Sequence, residues 1–594
     1  MTVYNKASLV LAESPAYKAG KIQPYYPLTP DVSFDFTRAT SATRVNASGN
    51  IEKETQNLLL QSNQFDTTWT STSGVSVTDG QSGYDGTNDA WLLARTSTGG
   101  ERLAQAISQS GVQTYSVYAK ANVGDWLYMR CNTSGSPATA WVDLANGVFG
   151  STSNLIDSKI ESVGNGWYRC SMAFNSTTVE ARLYSVDGNG SVVGTNESIY
   201  IQDAQLEQGL VARDYQETTT TAFYGGITDN IPRLDYTDSS CPSVLLEPQR
   251  TNLVTQSEYF DDWTTTEVTL TPNNGTSPEG VSNAYSIIET TANNRHRIYK
   301  SIAKSASAID YCFSVFVKNK SGSRNVRLNL ESNIAGSKAS VVFDTSGNVV
   351  STASAIGSFT EAESFKEQVG DYWKYTLKAK SDTGTTLIPI FLINNGTTEV
   401  YTGDGTSGIY LFGAQVEEGS YATSYIPTYG TSVTRNTDDL DRLTNLSTNG
   451  IANNYSTTLF FEGTNFKTTA NTRFVTLYNS SASSNPRVLL FSSNSNSSVF
   501  YMNLQYRATG QTDANVASGN MSYNTKFKAI MRLDGTSLSL FLDGTKYSTT
   551  IVQADDIEVL DLADVAADLS HTMSELAIFP TALTDDECIA LTTL

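Results

Sequence analysis

Apolar and polar residues alternate at period two through much of the chain. In TYSVYAK, Tyr115, Val117 and Ala119 fall on one side and Ser116, Tyr118 and Lys120 on the other. In YLFGAQVEEG, the same count sets Leu411, Gly413, Gln415 and Glu417 against Phe412, Ala414, Val416 and Glu418. Such alternation predicts half-buried antiparallel strands, one face on a core and the other toward solvent or a partner. Turn signals interrupt at short intervals: DGTND at Asp85, NTSGSP at Asn132, VDGNGS at Val186, NNGTS at Asn273, DTSGN at Asp344 and TGDGTSG at Thr402. Asp-Gly and Asn-Gly supply the positive φ that tight hairpins need. No stretch shows a sustained helical stripe.

The pattern is written twice. IQDAQLEQGLVARDYQET, from Ile201, and LFGAQVEEGSYATSYIPT, from Leu411, share Ala-Gln-aliphatic-Glu-x-Gly. Upstream, NLLLQSNQFDTTW from Asn57 answers NLVTQSEYFDDW from Asn252, YSVYAK from Tyr115 answers FSVFVK from Phe313, and VGNGWYRC from Val163 answers VGDYWKYT from Val369. Four blocks in one order mark a duplicated domain, with copies at 57–218 and 252–430. Each copy reads as a β-sandwich of jelly-roll type whose Gln-aliphatic-Glu strand lies near its end. Trp69, Trp167, Trp263 and Trp373 recur between the copies and are expected to pack in the cores. The rest divides into an N-terminal segment (1–56), linkers (219–251 and 431–449) and a C-terminal unit (450–594). In that unit short alternating strands and hairpins turning at Asp534-Gly535 and Asp543-Gly544 predict a second kind of sandwich. Thr584-Asp-Asp-Glu predicts the N-cap of a short terminal helix. The fold class is therefore all-β, a tandem of sandwiches in an elongated multidomain chain.

Composition narrows the function. Among 594 residues only 17% are charged, and 60 acids against 39 bases leave a formal charge of −21 with no basic cluster. That balance disfavours nucleic acid and anionic membrane surfaces, and no apolar run approaches the ~20 residues that span a bilayer. Cys131, Cys170, Cys241, Cys312 and Cys588 are widely spaced and odd in number. They read as small buried hydrophobes and not as a disulfide framework or zinc site. The N-terminus lacks the apolar region of a signal peptide, so folding in a reducing cytoplasm is expected.

Catalytic signatures are scarce. His296 and His571 lie outside any H-E-x-x-H pattern and read as exposed turn histidines; no nucleophile elbow or phosphate loop is evident. Carboxylate pairs for glycoside hydrolysis, such as Asp561 with Asp564 or Glu417 with Glu418, have no distinguishing neighbourhood. No catalytic residue, metal site or cofactor is assigned, although Asp187, Asp404 and Asp543 stand in turns that could hold structural calcium. Binding finds more support, since Trp and Tyr stack on sugar rings while amides and carboxylates read hydroxyls. The candidate glycan-binding residues are Trp126 and Tyr128 in GDWLYMR, and Tyr501 and Tyr506 flanking MNLQ.

Two resemblances follow from particular residues. The FLDGTKY strand pair and the closing LAIFPTALTDDECIALTTL resemble laminin-G-like or concanavalin-like jelly rolls. FDFTRATSATRV from Phe34, PRLDY from Pro232, LLEP from Leu245 and the Gln-aliphatic-Glu-x-Gly strand before TSYIPT resemble structural appendage proteins of tailed bacteriophages, including crAss-like phages. That resemblance implies a virion fibre of carbohydrate-binding-like sandwiches, often homotrimeric. It would be assembled in the host cytoplasm, attached to other virion proteins through its N-terminal segment, and would contact host-surface polysaccharide. A tailspike-type depolymerase and a purely architectural collar or capsid decoration are the alternatives. The Thr-Arg pairs of 35–45 and 429–439 suit extended strands that fix one domain against the next.

Overall fold

Two six-stranded antiparallel sheets face each other in the first copy, and the second copy repeats their strand order in a computed structural model of the chain, with Leu103–Gln109 answered by two short strands, His296–Tyr299 and Ile302–Ala303. It describes residues 3–12, 16–18, 20–24, 33–96, 100–237, 239–440, 442–453, 455–466, 472–478, 487–494, 499–507, 513–552, 557–562 and 571–593. In the first sandwich one sheet runs Val75–Gln81, Ala90–Arg95, Ser198–Gln208, Val112–Ala121, Trp167–Asn175, Asp157–Gly164. The other runs Thr70–Ser71, Leu103–Gln109, Thr178–Val186, Trp126–Thr133, Ala138–Asp143, Val148–Ser153. In the second sandwich, Val268–Gly275, Ala284–Glu289, Gly408–Glu418, Asp310–Ser321, Tyr372–Lys380 and Thr360–Val369 match the former order, and the facing sheet matches the latter. The duplication read from the repeated blocks is a duplication of topology.

The alternation holds where it was simplest. Tyr115, Val117 and Ala119 enter the first core, and Trp69 and Trp263 fill equivalent core positions. Trp167 packs instead on the outer face of its sheet, with Ala90 and Tyr118, and Trp373 is only partly buried against the second core.

In the Gln-aliphatic-Glu strands the alternation breaks. The register with the neighbouring strand slips between Ser116 and Tyr118 in one copy and between Ser314 and Phe316 in the other. At the slip Asp203 and Gly413 hold φ of 55° and 62°. A bulge there inserts one residue and flips the count. Leu411 therefore shares the core with Ala414 and Val416, where strict alternation sets them on opposite faces.

The flip turns the motif residues outward and under a strap. After Gly209 and Gly419 the chain doubles back over its own strand, and the outward Gln and Glu pin it. Gln205 Oε1 accepts from Gln216 N (2.8 Å) and Glu207 Oε1 from Arg213 N (3.0 Å). In the second copy Gln415 Oε1 accepts from Ile426 N (2.7 Å) and Glu417 Oε1 from Thr423 N (2.6 Å). Asn57 and Asn252 bond both layers. Each donates to the strand (Ala204 O, Ala414 O) and to the strap (Gln216 O, Ile426 O), and accepts from Leu206 N or Val416 N. All four motif side chains are buried, so their polar groups need these partners. The repeated motif is thus a polar clamp.

The C-terminal sandwich is completed from elsewhere in the chain. His571–Phe579 pairs on one side with Ser456–Asn465; along its other side lie Leu9–Ala12 and Ser243–Leu246, end to end. Phe34–Thr37 pairs with Asp439–Leu440, and Thr55–Asn57 with Phe223–Gly225. The described parts of the N-terminal segment and the linkers, expected as separate stretches, are woven between the domains. The terminal helix Asp585–Thr592 carries the anticipated cap, with Thr584 and Glu587 forming a reciprocal capping box.

Both histidines depart from expectation. His296 and His571 are buried in strands, at 0% and 1% exposure, and not in turns. His296 Nδ1 lies 2.7 Å from the Glu267 carbonyl. His571 sits against Phe461 and Phe474 with neither ring nitrogen bonded among the described residues, and burial pushes its pKa down to about 4.

Candidate functional site

Leu127 and Met129 enter the first core, so Trp126, Tyr128 and Arg130 point from the outer face of the same strand. Register extends this face sideways: Tyr128 stands opposite Trp141 on one neighbour and Tyr184 on the other. Tyr128 stacks on Trp141 at 4.1 Å and 11°, and lies 4.8 Å from Tyr184. Trp126 and Val186 flank the row at one end; Arg130 and Arg182 stand opposite each other at the next outward position. The Trp141 indole donates to Ser191 O (2.6 Å), which fixes the ring edge-on to a loop.

The row has a buried layer and an accessible one. Tyr128 and Tyr184 are 2% and 4% exposed, whereas Trp126 and Trp141 are half-buried. Tyr128 is thereby corrected from a contact residue to the support beneath Trp141. Arg182 is engaged by Glu180 (Nε to Oε2, 2.6 Å), while Arg130 bonds Asn132 (3.2 Å) and has no carboxylate partner among the described residues. The face therefore offers two indoles and an available guanidinium.

Tyr501 and Tyr506 do not make a comparable surface. Five positions apart on one strand, they point to opposite faces. Tyr506 is 4% exposed in the C-terminal core and is withdrawn as a binding residue; Tyr501 is half-buried on the outer side. Trp141 and Tyr184 went unread because only the pairing of three strands brings them beside Trp126.

The carboxylate candidates have other tasks. Glu417 belongs to the clamp, Glu418 accepts from the Tyr311 hydroxyl (3.0 Å), and Asp561 takes Arg442 and Tyr478. Asp564 lies outside the described residues. Asp404 accepts from Thr406 N, Ser407 N and the Ser407 hydroxyl within 2.7 Å, bonds that hold its carboxyl well below the usual range. Asp543 accepts from Lys528 N, and Asp187 is exposed. Among the described residues no group of three His, Cys, Asp or Glu side chains is placed to hold a metal ion.

Two buried ion clusters join the domains. In one, Arg38, Arg233 and Arg435 surround Glu247 and Asp438. Arg38 reaches Asp438 at 3.0 Å, Arg233 and Arg435 reach Glu247 at 2.6 and 2.5 Å, and Arg233 also pairs with Asp438. Burial would raise the Glu247 carboxyl, but Arg435 and Arg233 hold it well below its ordinary range. In the other, Lys53 lies 2.8 Å from Glu258 and 2.7 Å from Glu279, and Arg213 of the first sandwich pairs with Glu279 of the second. Beside it, Val112 N donates to Tyr429 O (2.8 Å), a backbone bond between sandwiches. A cavity of about 620 Å³ opens at this junction, walled by Gln56, Gln109, Gln208 and Tyr429, among others, and by Gln256, whose Oε1 has no partner among the described residues.

No protein-family model matches the sequence, and no curated protein matches it. Among solved structures, the chain is similar to the CBM40 domain of a Ruminococcus gnavus sialidase bound to sialyllactose. That match has 14% identity, covers 24% of this chain and 84% of that one, and has a TM-score of 0.20. A tandem CBM22 pair from Paenibacillus barcinonensis Xyn10C matches at 11% identity, 61% and 97% coverage and a TM-score of 0.20. Domains LG4-5 of the mouse laminin α1 chain match at 10%, 50% and 92%, and 0.16. Scores of this size assign nothing; the chain's own sheets establish it as an all-β protein of several sandwiches.

Proposed function

We propose that this chain is a display protein of a tailed-phage particle, and that it holds host-surface glycans on the outer face of its first sandwich. The observation that carries the binding reading is the Trp141–Tyr128–Tyr184 row with Trp126 beside it. Indole faces stack on the apolar faces of sugar rings. With Arg130 free of any carboxylate among the described residues, the favoured class is an acidic saccharide, whose carboxylate a guanidinium binds in fork geometry. One such face gives weak attachment; several copies on a particle raise avidity by ~10²-fold or more.

The appendage part of the reading rests on the motif resemblance. Arg38 of FTRAT, Arg233 of PRLDY and Glu247 of LLEP meet in one buried cluster, which gives those motifs a shared structural task. Trimeric assembly belongs to the same proposal. Two measurements test it. On an array of neutral and acidic glycans the purified chain should bind acidic members; silence across the array leaves only an architectural role. Gold-labelled antibody to the C-terminal sandwich should decorate intact particles, and label confined to lysate from which particles have been removed would refute the virion assignment.

A further inference from the structure

The duplication supplies an internal comparison. The loop before Ala284 in the second sandwich aligns with the loop before Ala90 in the first. Both alanines are fully buried on the outer face of their sheets. Gly86 and Gly280 share φ of 88° and 78°. Gly83 N bonds Thr87 O as Ser277 N bonds Val281 O. Hence Asp85 corresponds to Glu279 and Asp89 to Asn283, and counting from the clamp asparagines sets Asn63 against Glu258.

In the second sandwich this loop grips cations that come from the chain before it. Lys53 reaches Glu258 and Glu279, and Arg213, from the strap of the first sandwich, reaches Glu279. Asn283 Nδ2 donates to Glu279 at 2.9 Å. Burial pushes both carboxyls up, and Lys53 with Arg213 brings Glu279 below its usual range.

In the first sandwich Asp85 stands where Glu279 does and Asp89 replaces Asn283, and neither pairs with a cation among the described residues. Asp85 Oδ1 and Asp89 Oδ1 converge on the Thr87 hydroxyl and on Gln202 Nε2, at 3.4 and 2.8 Å from the amide. Asp203, at the bulge position that is Gly413 in the other copy, lies behind them and accepts from the Tyr84 hydroxyl at 2.9 Å. No ion pair reaches any of the three among the described residues. Burial, with the charges of Asp89 and Asp85, pushes the Asp203 carboxyl up to about 7. Tyr84 stacks on Tyr118 at 3.8 Å beside these acids, an aromatic wall of the kind on which ammonium and guanidinium groups rest. Asp85 and Asp89 are exposed.

We propose that the Asp85–Asp89 loop, with Asp203 and Tyr84 behind it, is an open socket that receives a lysine or arginine side chain from another protein, as the equivalent loop of the second sandwich receives Lys53 and Arg213 from within the chain. A side chain is favoured over a metal ion because the acids are not grouped as metal ligands. The socket lies on the opposite sheet from the Trp126–Trp141 row and is independent of glycan binding there.

The test is calorimetric titration of the full chain with an acetylated, amidated tri-arginine peptide. Saturable one-to-one binding is expected, weakened tenfold or more by Asp85→Asn with Asp89→Asn. It should be unchanged by Trp126→Ala with Trp141→Ala. A control of equal charge change, Asp534→Asn with Asp586→Asn, should also leave it intact. Equal weakening by both Asp→Asn pairs would reduce the effect to the overall charge and overturn the proposal. So would a response to Ca²⁺ or to a saccharide, in place of the peptide, that the Asp85 and Asp89 variants abolish. Should the double variant lose the β-sheet circular dichroism of the parent, Asp203→Asn, which keeps shape and hydrogen bonding, is expected to weaken the peptide at least threefold, and unchanged affinity would count against the socket.

Discussion

Buried ionisable residues give the molecule two opposed responses to acid. His571 is neutral in the fold, with its pKa lowered from 6.5 to about 4 by burial. The unfolded chain therefore binds the extra proton first, and stability falls as pH drops from about 6.5 toward 4, by about 3 kcal/mol in total. Asp203 behaves oppositely. Its pKa is raised from 3.8 to about 7, so the folded chain binds the proton first, and acidification from 7 toward 4 stabilises the first sandwich. Chemical denaturation between pH 7 and 4.5 should show the C-terminal sandwich weakening in the parent but not in His571→Leu. The first sandwich should strengthen in the parent but not in Asp203→Asn. Glu247, held far below its usual range, stays ionised in the folded chain, and it adds a destabilising slope only at the acid end of this window, where the unfolded carboxyl begins to take up a proton. Neither residue was legible in the sequence at this level. A histidine beside Ser and Thr carries no mark of burial, and the Asp203 environment is made by Tyr84 from a distant loop.

At the scale of elements, the repeated motif was legible as a strand but not as a clamp. Alternation predicted the strand and failed at its middle, because a one-residue bulge is invisible to a count of apolar positions; only the positive φ of Asp203 and Gly413 reveals it. Once the bulge is set, Gln, Glu and the upstream Asn all face the strap. Asn57→Ala and Asn252→Ala each remove a side chain that donates two bonds and accepts more. Stranded buried backbone groups cost about 1–3 kcal/mol each, so each variant should lose about 3 kcal/mol and release its strap. Hydrogen exchange reads this directly: residues 210–218 should lose protection in Asn57→Ala and 420–428 in Asn252→Ala, each without the other. Loss of protection in both straps from one substitution would show that the two clamps are not separate devices. The aromatic row has a similar lesson. Trp126 was found because it sits in one strand with Tyr128; Trp141 and Tyr184 are distant in sequence and adjacent only through pairing.

The whole molecule is held by charges that composition alone would send to the surface. Arg38, Arg233, Glu247, Arg435 and Asp438 come from four separated stretches and are fully or nearly fully buried. Arg233→Met would leave Glu247 and Asp438 each short of a partner in the interior, at about 3–5 kcal/mol. Added salt should not mimic this loss, since buried pairs are screened little. Gly111→Ala probes the junction between sandwiches. A Cβ there would stand 1.6 Å from Tyr429 O at a φ of 96°, so the Val112–Tyr429 bond must break, and small-angle scattering should register an altered arrangement of two intact sandwiches. The central claim, that this scaffold presents the Trp126–Trp141 face to glycans, is tested most directly by the affinity of Trp126→Ala with Trp141→Ala for the acidic saccharide that binds the parent most tightly. The account predicts a loss of tenfold or more with the melting transition within a few degrees of the parent; undiminished affinity in a folded double variant would contradict it.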